Sequence, residues 1–501
     1  MTNGRSVELD AVPDFSMDDF RQAILAGVSE GQRVVAMFAA AANRPEAVDL
    51  YVVLADDDTN LLAAARTQIQ DDPMPSLAAE CPQVHLFERE IAEQCGLQLA
   101  GHPWFKPVRY RKSWRSDRDA WNRAPDQPIV AGVTDFYRID GEEVHEVAVG
   151  PVHAGVIEPG HFRFQCHGEE VFHLEISLGY QHRGVEEAMA GGPTKRSLHY
   201  VETVAGDSTV AHTMAYCQVV EALTGCRKSA RAQSLRAVAL ELERIANHVG
   251  DLGALAGDVG FLPTASYCGR IRGEFLNMTA MLCGNRFGRG MVRPGGVGFD
   301  ADDSRIEKLL RCLKAAEKDV TSAVNLLWDA SSVMARLEDT GTLSLEACKE
   351  LGVVGLAARA SGLNRDVRRD QPFGIFRFVQ IPVSTWASGD VFARAFVRWM
   401  EIQHSIAFIE EQIRSLPPGQ TRVECKDLMP RQLAVSLTEG WRGEVCHVAI
   451  TDHAGRFVRY KIVDPSFHNW PALAYAMRGQ QISNFPVCNK SFNLSYCGHD
   501  L

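Results

Sequence analysis

The chain has 501 residues, a formal net charge of -11, and 46% hydrophobic against 23% charged residues. A chain this long holds roughly two to four domains, and its acidic balance argues against a general nucleic-acid binder, which carries a clustered basic surface. No apolar run reaches the ~18 residues of a membrane-spanning helix, the longest being Val34–Ala42. Residues 1–20 lack the basic start and apolar core of a signal peptide, so a soluble chain is expected. The 13 cysteines are scattered and form no Cys-x-x-Cys. In a large chain without a secretion signal they read as buried small hydrophobes rather than a disulfide framework.

In chain order, Asp18–Glu30 has the apolar spacing of a helix. Val34–Phe38 and Leu50–Leu54 read as strands, and Leu61–Gln70 as another helix. Residues 106–145, rich in Arg, Asp, Pro and Trp, read as an ordered linker with a boundary near Pro125–Gly132. The basic cluster Lys106, Arg109, Arg111, Lys112, Arg115 and Arg118 is a solvated face of that linker or a docking surface for an acidic neighbour. His161–Cys166 and Val171–Ile176 flank Gly168 as a hairpin. Glu202–Asp258, Ser304–Glu338 and Val391–Leu416 are helical patterns, and Gln432–Ile462 alternates like strands. The expected class is α+β: a small N-terminal α/β domain (residues 1–125, with the linker), then a large, mainly helical bundle domain with peripheral β-sheets (residues 126–501). No Gly-x-Gly-x-x-Gly follows a strand, which argues against a dinucleotide site.

Phe87–Val108, FEREIAEQCGLQLAGHPWFKPV, reads as a short charged helix, a glycine-bounded turn and a loop set by Gly101-His102-Pro103. It resembles the signature of the 30 kDa peripheral-arm subunit of respiratory complex I and the matching domain of formate-hydrogenlyase-type hydrogenases. From Gly150 onward a second series resembles the 49 kDa subunit of complex I, the relative of the nickel-iron hydrogenase large subunit. Its members are Gly150–His153, Glu158–Arg163, Gly179–Glu186, Glu241–Asp258, Val292–Val297, Leu351–Phe373, Gly389–Arg398 and Glu439–Glu444. Fusion of the two is typical of the hydrogenase-like branch of energy-converting complexes.

The departures from that family are specific. Nickel-iron hydrogenases hold their metals with two Cys-x-x-Cys pairs, soft thiolates suited to nickel. Here the matching positions are Ala205 and Ser208, then Ser495 and Gly498. Ala and Gly cannot ligate, Ser is a poor nickel ligand, and Cys497 stands alone and displaced by one position. No metal bound by this chain is expected. Complex I lacks the cysteines too, and its quinone head group is held by a Tyr and a His. The tyrosine position corresponds to Gly206, while the hairpin offers His153 and His161.

The resemblance places Glu186, Asp207, Ser208, His212, Arg359, Asp366, Arg368, Ser495, His499 and Asp500 around the cleft. Glu186 follows His182 by four residues, a spacing that puts both on one helical face and suits a proton relay whose carboxyl pKa is raised by burial. Arg359, Arg365, Arg368 and Arg369 with Asp366 and Asp370 are a surface ion-pair network or an electrostatic lining. Asp207, Cys497, His499 and Asp500 are weak candidates for some other metal, while His248 and His404 read as core or capping histidines. By resemblance, the partners are a small subunit carrying a [4Fe-4S] cluster at the cleft floor, and membrane subunits like antiporters and like a quinone chamber. The expected place is peripheral, on the cytoplasmic side of the inner membrane. The implied activity is electron transfer coupled to ion movement, with quinone reduction of complex I type or a non-catalytic scaffold as alternatives.

Overall fold

The computed structural model describes residues 1–41, 47–69, 72–115, 117–124 and 126–501; Ala42, Gln70 and Pro125 lie outside the described residues. The N-terminal unit starts with the helix Met17–Ser29, whose Ser16 side chain accepts a hydrogen bond from the Asp19 amide and so satisfies one orphan donor of the first turn. Strands Arg33–Ala41, Val48–Asp56 and Leu61–Ile69 follow, antiparallel, with Asp14–Phe15 along the edge. The helix expected at Leu61–Gln70 is thus a strand. Its Leu- and Ala-rich start favours a helix, but Ala63, Ala64 and Ala65 lie opposite Leu54, Val53 and Val52, and sheet pairing overrides local preference. The helix His85–Cys95 packs on this sheet and stops at Gly96, which takes the left-handed conformation at φ 62°.

Residues 106–143 hold no helix or strand among the described residues. Strand Val144–Val149 then joins the expected hairpin, His161–His167 with Glu170–Ser177, in a three-stranded antiparallel sheet. The helical stretch expected over Glu202–Asp258 is two long helices. Thr209–Thr224 ends at the left-handed Gly225, and Ala230–Asp258 restarts on a Ser229 cap. Ala230–Asp258 is buried almost all round, against Leu262–Cys283 and Val391–Arg414, with Asp303–Trp328 packed outside. Thr209–Thr224 lies on the closing sheet Gln432–Glu439, Glu444–Thr451 and Phe457–Val463.

The sequence pattern does not announce one feature of that sheet. Arg5–Glu8 adds to its edge, Arg5 opposite Val435, and the Asn3 amide donates to the carbonyls of Gln371 and Leu437. Charge also sews the two units together. Lys461, on the last strand, reaches Glu90 of the His85–Cys95 helix at 2.5 Å, and Arg33 forks onto Glu444 at 2.5 Å, with all four groups buried.

Candidate functional site

The two segments that match the cysteine pairs meet at one place. Residues 204–208 lead into Thr209–Thr224, and Ser495 caps the last short helix, Tyr496–Asp500. Two arginines join them. Arg183 donates to the carbonyls of Val204 (2.9 Å) and Cys497 (3.1 Å). Arg442 forks onto Asp207 at 2.6 and 2.7 Å and reaches Ser208 Oγ at 3.3 Å and the Asn493 carbonyl at 2.5 Å. His212 shares a hydrogen bond with Asp464 (2.9 Å) and another with His447 (3.1 Å). These contacts hold residues 204–208 against residues 493–497.

Those positions do not fit a nickel-iron centre. A Cβ built on Gly498 falls 2.6–2.9 Å from the Asp464 carboxyl atoms, so a carboxylate fills the space a thiolate would need. Ser495 Oγ is taken as well: it accepts from the Gly498 amide at 2.9 Å. A Cβ on Gly206, the tyrosine position, meets nothing within 4 Å. Among the described residues no group of three or more His, Cys, Asp or Glu side chains is placed to hold a metal. Asp207 is bound by Arg442. Asp500 accepts from the amides of Gly179 and Gln181, both at 2.8 Å, and shares a hydrogen bond with His499 Nδ1 at 2.9 Å.

Glu186 differs from its expectation in two ways. Gly184 caps the helix Val185–Met189, so His182 lies before it, and four-residue spacing does not put both on one face. His182 Nδ1 instead contacts the Asp500 carbonyl at 2.8 Å. Glu186 is buried against Arg459 (2.8 Å), Lys461 (3.1 Å) and the Ile462 amide (2.9 Å). Burial pushes its pKa up, but Arg459, Lys461 and Arg109 outweigh it and hold the carboxyl well below the usual range. The raised pKa expected from burial is therefore not what the structure gives: the surrounding cations favour the Glu186 carboxylate.

The arginine-rich loop is mostly interior. Arg359 is fully buried and bonds Glu401 (2.7 Å) and Glu439 (2.8 Å); Arg368 bonds Asp366 (2.6 Å) and Glu241 (3.1 Å). Arg244 and His248 close the network onto Glu401. Only Arg365 and Arg369 reach the surface, where they pair with Asp57 and Asp370. Burial and the Asp366 charge raise the Glu439 pKa against the pull of Arg359. Glu243, buried with its carboxyl on the amides of Val210 and Ala211, is pushed up to about 8, chiefly by burial.

The histidines of the opening hairpin lie close by. His153 Nε2 is 3.3 Å from the Tyr496 hydroxyl, next to Ser495 and Cys497, and its ring also packs on Phe162. His161 is buried beside Phe136 and accepts from Arg163 at 3.2 Å. Residue-by-residue reading missed Tyr496, Asp464, Lys461 and Arg442. Arg442 lies inside the Glu439–Glu444 match, and Lys461 stands out as a charge on the inward face of a strand.

A large helical unit is thus fused to a small α/β unit, with the start of one core helix held against the last short helix. Residues 19–121 match the family described as respiratory-chain NADH dehydrogenase, 30 Kd subunit, and residues 258–434 match its 49 Kd subunit. The carbon monoxide-induced hydrogenase of Rhodospirillum rubrum is 31% identical over 70% of this chain and 97% of its own length. Formate hydrogenlyase subunit 5 of Escherichia coli is 27% identical over 89% and 80%. NADH-quinone oxidoreductase subunit 4 of Thermus thermophilus is 28% identical over 68% and 90%. The chain belongs to this family of complex I-type and hydrogenase-type oxidoreductase subunits, as a fusion of the 30 and 49 kDa units without the nickel-iron cysteines. No helix among the described residues is long and apolar enough to cross a membrane.

Proposed function

We propose that this chain is the redox-module subunit of a membrane-associated, ion-translocating oxidoreductase, and that it receives electrons at a cleft with no nickel-iron site. The observation that carries the reading is the Asp464 carboxylate in the space a residue-498 thiolate would need, with Arg442 bridging the two former ligand segments. The chain itself holds no cluster. Electrons come from a [4Fe-4S] cluster of a small partner subunit, and antiporter-like and quinone-chamber-like membrane subunits complete the assembly on the cytoplasmic side of the inner membrane. The chain's own groups at the floor are fixed charges and imidazoles that orient an acceptor and settle its protons. Purified complex is expected to contain iron and sulfide but no stoichiometric nickel, and to evolve no hydrogen. About one nickel per chain by elemental analysis overturns the reading.

A quinone as that acceptor is favoured by the His153–Tyr496 pair, which brings an imidazole and a phenol together although the usual tyrosine position is Gly206. His153→Ala in a complex that reduces a quinone analogue should cut turnover by ~100-fold, the scale for a lost acid–base group. Unchanged turnover rejects the pair as the head-group site.

A further inference from the structure

Away from the cleft, a pocket of about 710 Å3 opens between the Arg5–Glu8 strand, the end of Thr209–Thr224, the start of Ala230–Asp258 and the turn Gly374–Arg377. Its lining is cationic: Arg5, Arg227, Lys228, Arg236 and Arg377 face a single carboxylate, Glu221. That carboxylate is already neutralised. Arg236 forks onto it at 2.5 and 3.1 Å, Lys228 reaches it at 2.8 Å, and the Gly295 amide donates to it at 2.8 Å. Arg5, Arg227 and Arg377 have no carboxylate in ion-pair reach among the described residues. Arg377 is held in place through the carbonyls of Asn3 (2.8 Å) and Pro372 (3.2 Å). Burial and the like charge of Arg5 depress its pKa. All three arginines are exposed, and an anion entering beside Arg5 and Arg377 would offset the repulsion between these two like charges.

We propose that this pocket binds a diphosphate or triphosphate group, free or carried by a nucleotide. Two linked phosphoryl groups carry roughly three negative charges, which matches the three arginines without a partner, whereas one carboxylate leaves two of them uncompensated. The planar forks of arginine suit phosphoryl oxygens, and the volume lies within the ~300–1,000 Å3 of small-molecule and cofactor sites. Phe378, 80% exposed and part of the lining, gives a base an aromatic face beside Arg377. The site is independent of the chemistry at the cleft.

The test is calorimetric titration of the full chain, in its complex, with pyrophosphate, ADP, inorganic phosphate and adenosine at low salt. Pyrophosphate and ADP are expected to bind, and both to weaken by at least tenfold in Arg227→Gln, an exposed residue whose loss leaves the fold intact. Affinity should fall as salt rises. Tighter binding of ADP assigns the nucleotide, while equal binding assigns the free diphosphate. Adenosine or inorganic phosphate bound as tightly as pyrophosphate overturns the proposal. So does pyrophosphate binding that is absent at millimolar concentration, or unchanged in both Arg227→Gln and Arg5→Gln.

Discussion

The network around Arg359 and the cluster around Arg442 each centre on a buried arginine, yet they are built differently. At Arg359 the partners Glu401, Glu439 and Asp366 have side chains 0–2% exposed, and they come from the core helix Val391–Arg414, the closing sheet and the arginine-rich loop. At Arg442 the partner Asp207 has a side chain 33% exposed, and Gly206 beside it faces open space. The first system is sealed and holds elements in register. The second keeps one side open. Buried charge is common to both; what separates them is access to solvent.

The largest expected effect tests the sealed side. Glu401→Ala removes the buried carboxylate shared by Arg359, Arg244 and His248, leaving the network short of a negative charge, and should cost about 3–5 kcal/mol in denaturant unfolding. Glu410→Ala on the same helix, an exposed partner of Arg414, should cost under about 0.5 kcal/mol. Similar losses in the two variants would erase the distinction between sealed and solvated pairs.

Glu186→Gln is next. Because the folded carboxyl is held low, its stabilising contribution is full above the ordinary carboxylate pKa of 4.5 and is lost as pH falls below it through the much lower folded value. At neutral pH the variant should be less stable by several kcal/mol, with Arg459 short of its counter-charge while Lys461 keeps Glu90. Acid melts should bring variant and parent together. A variant that assembles at full stability yet loses coupled turnover would restore the proton-relay role.

Two glycines sharpen the comparison within the floor. Gly498→Ala drives a methyl group onto Asp464 and should cost roughly 1–3 kcal/mol. Gly206→Ala points into open space and should be near neutral in thermal melts. Equal effects would mean that the floor is not asymmetric.

The smallest effect is the pH response of Glu243. Its folded pKa, about 8, lies above its ordinary value of 4.5, so its contribution is full at low pH and lost as pH rises through about 8. Glu243→Gln should flatten the pH dependence of the melting temperature between those limits by a few degrees. An unchanged slope would show that the carboxyl does not take up a proton on folding.

The sequence by itself determined the family, the α+β class, the hairpin at Gly168, the long helices and the missing thiolates, because these rest on local periodicity, turn residues and residue identity. Only the tertiary structure decided where Glu186 stands. A four-residue spacing means one face only inside a helix, and Gly184 starts the helix between His182 and Glu186. Burial raises a carboxyl pKa unless nearby cations outweigh it, and Arg459 and Lys461 come from a strand more than 270 residues away. Leu61–Ile69 became a strand for the same reason, since its pairing partners outweighed its helical composition. The floor was half legible: Ser208 and Ser495 could be placed by their match to the family's cysteine positions. The groups that bind the site together, Arg442, Asp464, Arg183 and Tyr496, act through hydrogen bonds across long chain separations, to which linear spacing is blind.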